Sequence, residues 1–359
     1  MSAEPVAAVD AATEPVPGAE EKKVETAEAP SEAPAAPASE VPAQEEKKIE
    51  APGAPAQTKP APTEVTEKPV SPPTSPLSKL FAELPSIIAD VQYTEMWGVE
   101  LTSSSNVPSS IVLEKFLRAN NQDVAKAKAQ LTEALKWRKE VQPQKRLAET
   151  EFNEAKFGGL GYVTVYPKTE GNGKEIVTWN IYGGVKDKQE TFGNAEEFVK
   201  WRAALMELSL KELDLASATE PIPPNGVDPY RMVQVHDYLN VSFLRMDPNV
   251  KAASKEVIQI FSMAYPELVK EKFFVNVPLV MGWVFAAMKL FLSPEAVKKF
   301  HPLSYGSNLA GELPGWGQEL PVAYGGKGKD IKEGLTVKYA TVAADVAADV
   351  EVPVKDETK

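Results

Sequence analysis

Apolar positions recur with helical spacing from near Pro76 to about residue 145. In "SSIVLEKFLRANNQDVAKAKAQLTEALKWRKE", Ile111, Leu113, Phe116 and Leu117 make one apolar stripe. Val124, Ala127, Leu131 and Leu135 recur at steps of three and four. The intervening "NNQD" breaks the first helix and supplies a cap for the second, since a short polar side chain can accept from the free N–H groups at a helix start. This predicts a small helical lobe over 78–145. From residue 160 the period changes. Strands are predicted over 161–167 and 176–184, a long helix over 194–215, a strand over 231–239 and a helix over 249–269. A strand over 271–278, a strongly apolar helix over 279–292 and a last strand over 296–304 follow. Strands alternating with helices predict an α/β layered domain over 146–330 with some parallel pairing.

The two ends of the chain carry no such pattern. Residues 1–77 hold 15 prolines and no aromatic residue, so they cannot bury enough apolar surface to offset the entropy of ordering, and disorder is predicted there. Residues 331–359 end in a low-complexity run and read as a C-terminal tail. The first segment also holds 14 acidic residues against 6 lysines, while the remaining 282 residues hold 37 acids against 33 bases. The net charge of −12 therefore belongs mostly to an acidic tail, and the near-balanced body argues against nucleic-acid binding. No charged start with an apolar run and a cleavage site is visible, and no stretch reaches the ~18 unbroken apolar residues of a membrane span. A soluble or peripheral protein is expected. With no cysteine, disulfides, thiolate metal sites and cysteine nucleophiles are excluded.

One strand stands out chemically. "MVQVHDYLNVSF" carries one of two histidines, and strand alternation puts Gln234, His236 and Tyr238 on one face with Asp237 on the other. Taken alone, the three residues are compatible with an internal hydrogen-bond network. Two histidines and no cysteine serve zinc poorly. There is no G-x-S-x-G elbow and no phosphate-binding glycine loop, and "GNGKE" and "GGKGKD" read as turns. Haem asks for less: one protein ligand and an apolar slot. Tyrosine is a known axial ligand that favours ferric iron.

Several motifs at matching separations then carry a resemblance. "KFLRANNQDVAKAKAQLTEALKWRKE", "YPELVKEKFFVNVP", "FLSPEAVKKF" and "LPVAYGG" resemble the CRAL-TRIO superfamily over about 78–330, and "QVHDY" resembles a haem-binding branch of the fungal phosphatidylinositol transfer proteins. The resemblance implies the CRAL-TRIO lipid-binding fold. In that fold a helical lobe stands against a mixed sheet, and sheet and helices enclose an apolar cavity gated by a mobile helix, here at 278–292. It implies a haem b pocket with Tyr238 as axial ligand to the iron and His236 as its neighbour. Tyr182, Arg202 and Lys272 stand at the same pocket, where cations or strong donors would meet the two propionates. Read without the resemblance, Tyr182 is a strand-end aromatic, Arg202 a helix-surface charge and Lys272 a strand-edge residue. The lipid-binding members further imply Glu267 and Lys299 as contacts to an inositol phosphate headgroup, with adjacent Lys298 leaving the register open by one.

The expectation is therefore a haem b-binding, non-classical phosphatidylinositol transfer protein, cytoplasmic and peripherally associated with endoplasmic reticulum membranes. Both ligands would draw on one cavity and compete. A phosphatidylinositol transfer protein without haem is the main alternative. A haem enzyme is disfavoured because His301, beyond the gate helix, offers no evident route to the iron.

Overall fold

The computed structural model describes residues 75–167, 173–224, 226–242, 247–278 and 297–340. The chain first forms helix α1 (Pro76–Val91), a short antiparallel pair β1 (Glu95–Met96) and β2 (Val99–Glu100), and helices α2 (Val107–Ala119), α3 (Val124–Val141) and α4 (Pro143–Glu149). Each start has a local reason. Ser75 accepts from the Ser78 amide, Asn106 from the Ser109 amide and Asp123 from the Lys126 amide, so the cap expected in "NNQD" is Asp123 itself. Asn121 and Gln122 turn the chain with positive φ of 52° and 63°. The apolar stripes on α2 and α3 are buried apart from the half-buried Val124, and Trp97 stacks on Phe116 with ring centroids 5.4 Å apart.

A second set builds the layered body: β3 (Phe152–Asn153), α5 (Glu154–Phe157), β4 (Gly161–Pro167), β5 (Lys174–Ile181), α6 (Lys188–Phe192), α7 (Ala195–Leu213), β6 (Met232–Asp237), α8 (Pro248–Ala264), β7 (Val269–Val275), β8 (Phe300–Leu303) and β9 (Tyr339–Ala340). The main sheet runs β4-β5-β6-β7-β8. Its first pair is antiparallel and the other three are parallel, which is the mixed sheet expected. Central β6 is buried at all six positions because both sheet faces are covered. On one face Ile176 and Met232 join the helices in a core shared with the helical lobe. On the other, Val177, Trp179, Val233, Val235, Phe273 and Val275 pack against Leu309, Leu313, Trp316, Leu320 and Tyr324.

Buried charges tie lobe to sheet. Arg138 bonds Glu207 at 2.6 Å and Glu95 at 2.7 Å, and Tyr265 donates to Glu207 at 2.8 Å. Lys115 reaches Asp228 at 2.6 Å and the carbonyls of Tyr230 and Glu267. Burial outweighs the help of Asp228 and pushes the Lys115 ammonium down to about 8.

Three boundaries differ from expectation. The helix expected to 269 stops at Ala264, because Pro266 cannot continue it and Glu267 turns with a φ of 55°; the next strand starts at Val269. The last strand is confined to 300–303. Residues 331–340, placed with the tail, belong to the body: Ile331 and Val337 are buried, Leu335 pairs with Val163, and β9 lies parallel to β3. Residues 279–296, which include nearly all of the expected gate helix, lie outside the described residues, as do 1–74.

Candidate functional site

Register decides what the sheet presents to α7 and α8. Thr178, Gln234, Lys272 and Phe300 are successive cross-strand partners, and Asn180, His236 and Phe274 form the next row toward the strand ends. Tyr182 and Tyr238 follow the last residues of β5 and β6, two positions beyond Asn180 and His236, and stand one step past the second row. The aromatic rings meet. Tyr182 lies 5.6 Å from His236 and 5.5 Å from Tyr238, centroid to centroid, and His236 stacks on Phe274 at 5.3 Å.

Cations join this cluster. Arg202, on the face of α7 that carries Phe198 and Met206, is 2% exposed, with its guanidinium 5.4 Å from the Phe261 ring centre. The Lys272 ammonium lies 5.7 Å from Phe274 and 5.5 Å from Phe300. The helix-surface and strand-edge alternatives for these two residues therefore do not describe their positions: Arg202 is interior, and Lys272 is on a strand paired on both sides. The five expected pocket residues Tyr182, Arg202, His236, Tyr238 and Lys272 come together in one cluster.

The electrostatics there are one-sided. Burial, then Lys272 and Arg202, holds the His236 imidazole well below its ordinary pKa, so it is neutral at pH 7. Burial, then Arg202, pushes the Lys272 ammonium down to about 8. Burial lowers Arg202, partly offset by the Tyr182 and Tyr238 hydroxyls, and raises the Tyr238 phenol, with Tyr182 adding to the rise. Among the described residues, the buried side-chain polar atoms without a hydrogen-bond partner are Asn180 Oδ1, Arg202 Nε and Nη1, and His236 Nε2. All four belong to this one region. Buried polar atoms normally find partners, so a cluster of orphans at a wall of rings marks a place built for something else. The satisfied internal network considered for His236 is thus not what its Nε2 makes here.

The donor set suits an amphipathic dianion carrying a hard metal. A phenol can ligate ferric iron, a neutral imidazole can support it, a guanidinium and an ammonium can meet carboxylates, and Phe261, Phe274 and Phe300 offer apolar walls. No group of three or more His, Asp or Glu suited to a bare ion occurs among the described residues. Strand alternation singled out His236 and Tyr238, and the resemblance supplied Tyr182, Arg202 and Lys272; Asn180, Phe261, Phe274 and Phe300 were missed. Asn180 was readable, since it lies two positions before Tyr182 on the strand that leads into it.

Glu267 and Lys299 lie at the other end of β7 and bond each other at 2.9 Å, while adjacent Lys298 is exposed. His301 stacks on Phe273 at 4.9 Å and meets Glu271, on the face opposite His236. A surface groove of about 640 Å³ lined by Trp97, Leu147, Leu208, Lys211 and Val337 shares none of the cluster residues.

Comparison with known proteins places this geometry. The CRAL/TRIO domain profile matches residues 161–326, and the CRAL/TRIO N-terminal domain profile matches 76–133. A solved structure described as the crystal structure of Sfh5 is 34% identical, with a TM-score of 0.61, and the match covers 73% of this chain and 90% of that one. The chain belongs to the CRAL-TRIO family. The helical lobe and mixed sheet are the two halves of that fold. Curated relatives include "Phosphatidylinositol transfer protein sfh5" of Botryotinia fuckeliana, 69% identical over 275 residues, and its namesake in Aspergillus clavatus, 55% identical over 269. The matches cover 76% and 75% of this CRAL-TRIO chain, and in both cases 62% of the relative's length.

Proposed function

We propose that this chain is a haem b-binding, non-classical phosphatidylinositol transfer protein, a carrier between membranes and not an enzyme. The observation that carries the haem half is the cluster of orphaned buried polar atoms beside Tyr182 and Tyr238, where every charge acting on His236 is a cation. Tyr238 would be the axial ligand and His236 its neutral neighbour, while Arg202 and Lys272 would meet the propionates with Tyr182 closing the slot. Bound haem supplies a ferric centre that favours phenolate. The chain supplies orientation, charge balance and exclusion of water.

The lipid half rests on the names of the relatives and on the Glu267–Lys299 pair. A phosphate headgroup would replace Glu267 as the partner of Lys299. The two sets lie toward opposite ends of β7, and both ligands would draw on one apolar cavity, so they would compete. The setting proposed is the cytoplasm, with peripheral attachment to endoplasmic reticulum membranes.

An absorption spectrum of the purified protein tests the haem half. A Soret band that Tyr238→Phe abolishes or shifts is expected. Colourless protein that refuses added haem leaves a lipid-transfer protein alone. Movement of labelled phosphatidylinositol between vesicles tests the lipid half, and haem loading should slow it. Full transfer by haem-saturated protein would end the competition claim.

A further inference from the structure

The strand that presents His236 and Tyr238 is held from behind. Asp237 lies between them, faces the opposite core, and is 5% exposed. Its Oδ1 accepts from the Leu239 amide at 2.8 Å and from Asn276 Nδ2 at 2.7 Å, and its Oδ2 accepts from the Tyr324 hydroxyl at 2.7 Å. Asn276, just past β7 with a φ of 60°, uses its own Oδ1 to accept from the Gly306 amide at 2.7 Å. Tyr324 packs on Trp179 of β5, centroids 4.5 Å apart. One carboxylate thus gathers four segments: the end of β6, the end of β7, the loop at 306 and the turn at 324. The backbone is pinned as well. The Tyr238 amide donates to Val275 O at 3.1 Å, and the Leu239 carbonyl sits where a Cβ on Gly183 would approach it to 1.9 Å. The 237–239 turn is therefore seated against the turn that carries Tyr182.

We infer that Asp237 is a positioning residue, a clamp behind the sheet that fixes the direction of Tyr238 and its spacing to Tyr182. This rests on the haem reading for its ligand, but the clamp itself is a property of the chain. A buried carboxylate that accepts three hydrogen bonds is costly to bury and strong once satisfied. Asp237 is the last residue of β6, immediately before Tyr238, where regular strand geometry ends. Groups behind a metal ligand commonly change affinity about tenfold or more when removed.

Asp237→Ala and Asp237→Asn are compared with wild type by three readouts. These are amide hydrogen exchange over 237–241 in ligand-free protein, the electron paramagnetic resonance signal of the haem-loaded ferric form, and haem loss to apomyoglobin. In Asp237→Ala, exchange should quicken locally about tenfold, the ferric signal should change its rhombicity, and haem should leave about tenfold faster. Asp237→Asn should restore all three, because its oxygen still accepts from Leu239 and Asn276 while the Tyr324 hydroxyl rotates to accept from the amide. If Asp237→Ala does not fold, Tyr324→Phe carries the test with smaller shifts in the same direction. A folded variant that matches wild type in all three overturns the clamp. Wild-type protein that takes up no haem defeats the haem reading alone, and exchange then decides the clamp by itself.

Discussion

Lys272 holds a charge in a place that disfavours charge, and the consequence has a definite sign. Burial and Arg202 push its pKa down to about 8 in the folded chain, against 10.5 when unfolded. Between those values the unfolded chain binds more protons, so ligand-free stability should rise with pH from about 8 to about 10.5 as this contribution is relieved. Lys272→Met should accordingly stabilise the ligand-free protein at pH 7 by about 1–3 kcal/mol and flatten that rise, since an apolar side chain suits the site better than a lone ammonium. The same variant should bind haem more weakly. Thermal melts across pH 6–11 check the first half and haem titration the second. A destabilised variant at pH 7 would mean that Lys272 has a stabilising role in the ligand-free protein. Residues like Lys272 and Arg202 are where sequence reading had least to say. Helical spacing from Phe198 to Arg202 to Met206 puts the arginine on a buried face, yet a charge on a helix ordinarily reads as solvent-facing. Burial without a described counter-charge is seen only once the fold is known. By contrast, the shared direction of Gln234, His236 and Tyr238 was readable because strand alternation is strict.

At the scale of elements, the turn at Tyr182–Gly184 must meet the turn at 237–239 closely enough for the two tyrosine rings to lie 5.5 Å apart. Gly183 permits this. A methyl there would come within 1.9 Å of a backbone carbonyl that cannot step aside, whereas one at Gly184 meets the end of the Leu160 side chain at 3.2 Å. Gly183→Ala should cost about 1–3 kcal/mol and Gly184→Ala distinctly less, as expected for overpacking against backbone and against a flexible side chain. Denaturant melts of the pair check the order, and equal losses would count against the close approach. The elements themselves were largely legible. The strands over 161–167 and 232–237 and the helix over 195–213 follow, within two residues at each end, from period and cap. The misplaced end of α8 came from letting apolar spacing run through Pro266, where ring geometry outweighs pattern. Phe274 was hidden for the opposite reason: "FF" places one ring on each face, and pattern alone does not say which ring serves the site.

The whole molecule closes through its last described segment, far in sequence from what it touches. Val163 and Leu335 exchange backbone hydrogen bonds at 2.7 and 2.8 Å, Thr336 donates to the Gly161 carbonyl at 2.8 Å, and the Tyr339 hydroxyl donates to the Phe157 carbonyl at 3.1 Å. Val337 is 3% exposed within the core that the lobe and sheet share. Leu335, Val337 and Tyr339 alternate with polar residues, but so short a strand signal does not name its partners, which lie more than 170 positions earlier. The segment also edges β4, whose partner β5 leads directly into Tyr182, so its loss should reach the pocket through the sheet. A chain ending at Asp330 should therefore melt well below one ending at Ala340. The difference should be at least about 3 kcal/mol, in line with losing one buried valine and several backbone hydrogen bonds together. If residues 331–340 were only a tail, the two chains would melt together. A chain ending at Asp330 that stays folded should also show faster hydrogen exchange in β4 than in β7, because the edge it exposes is on the β4 side of the sheet.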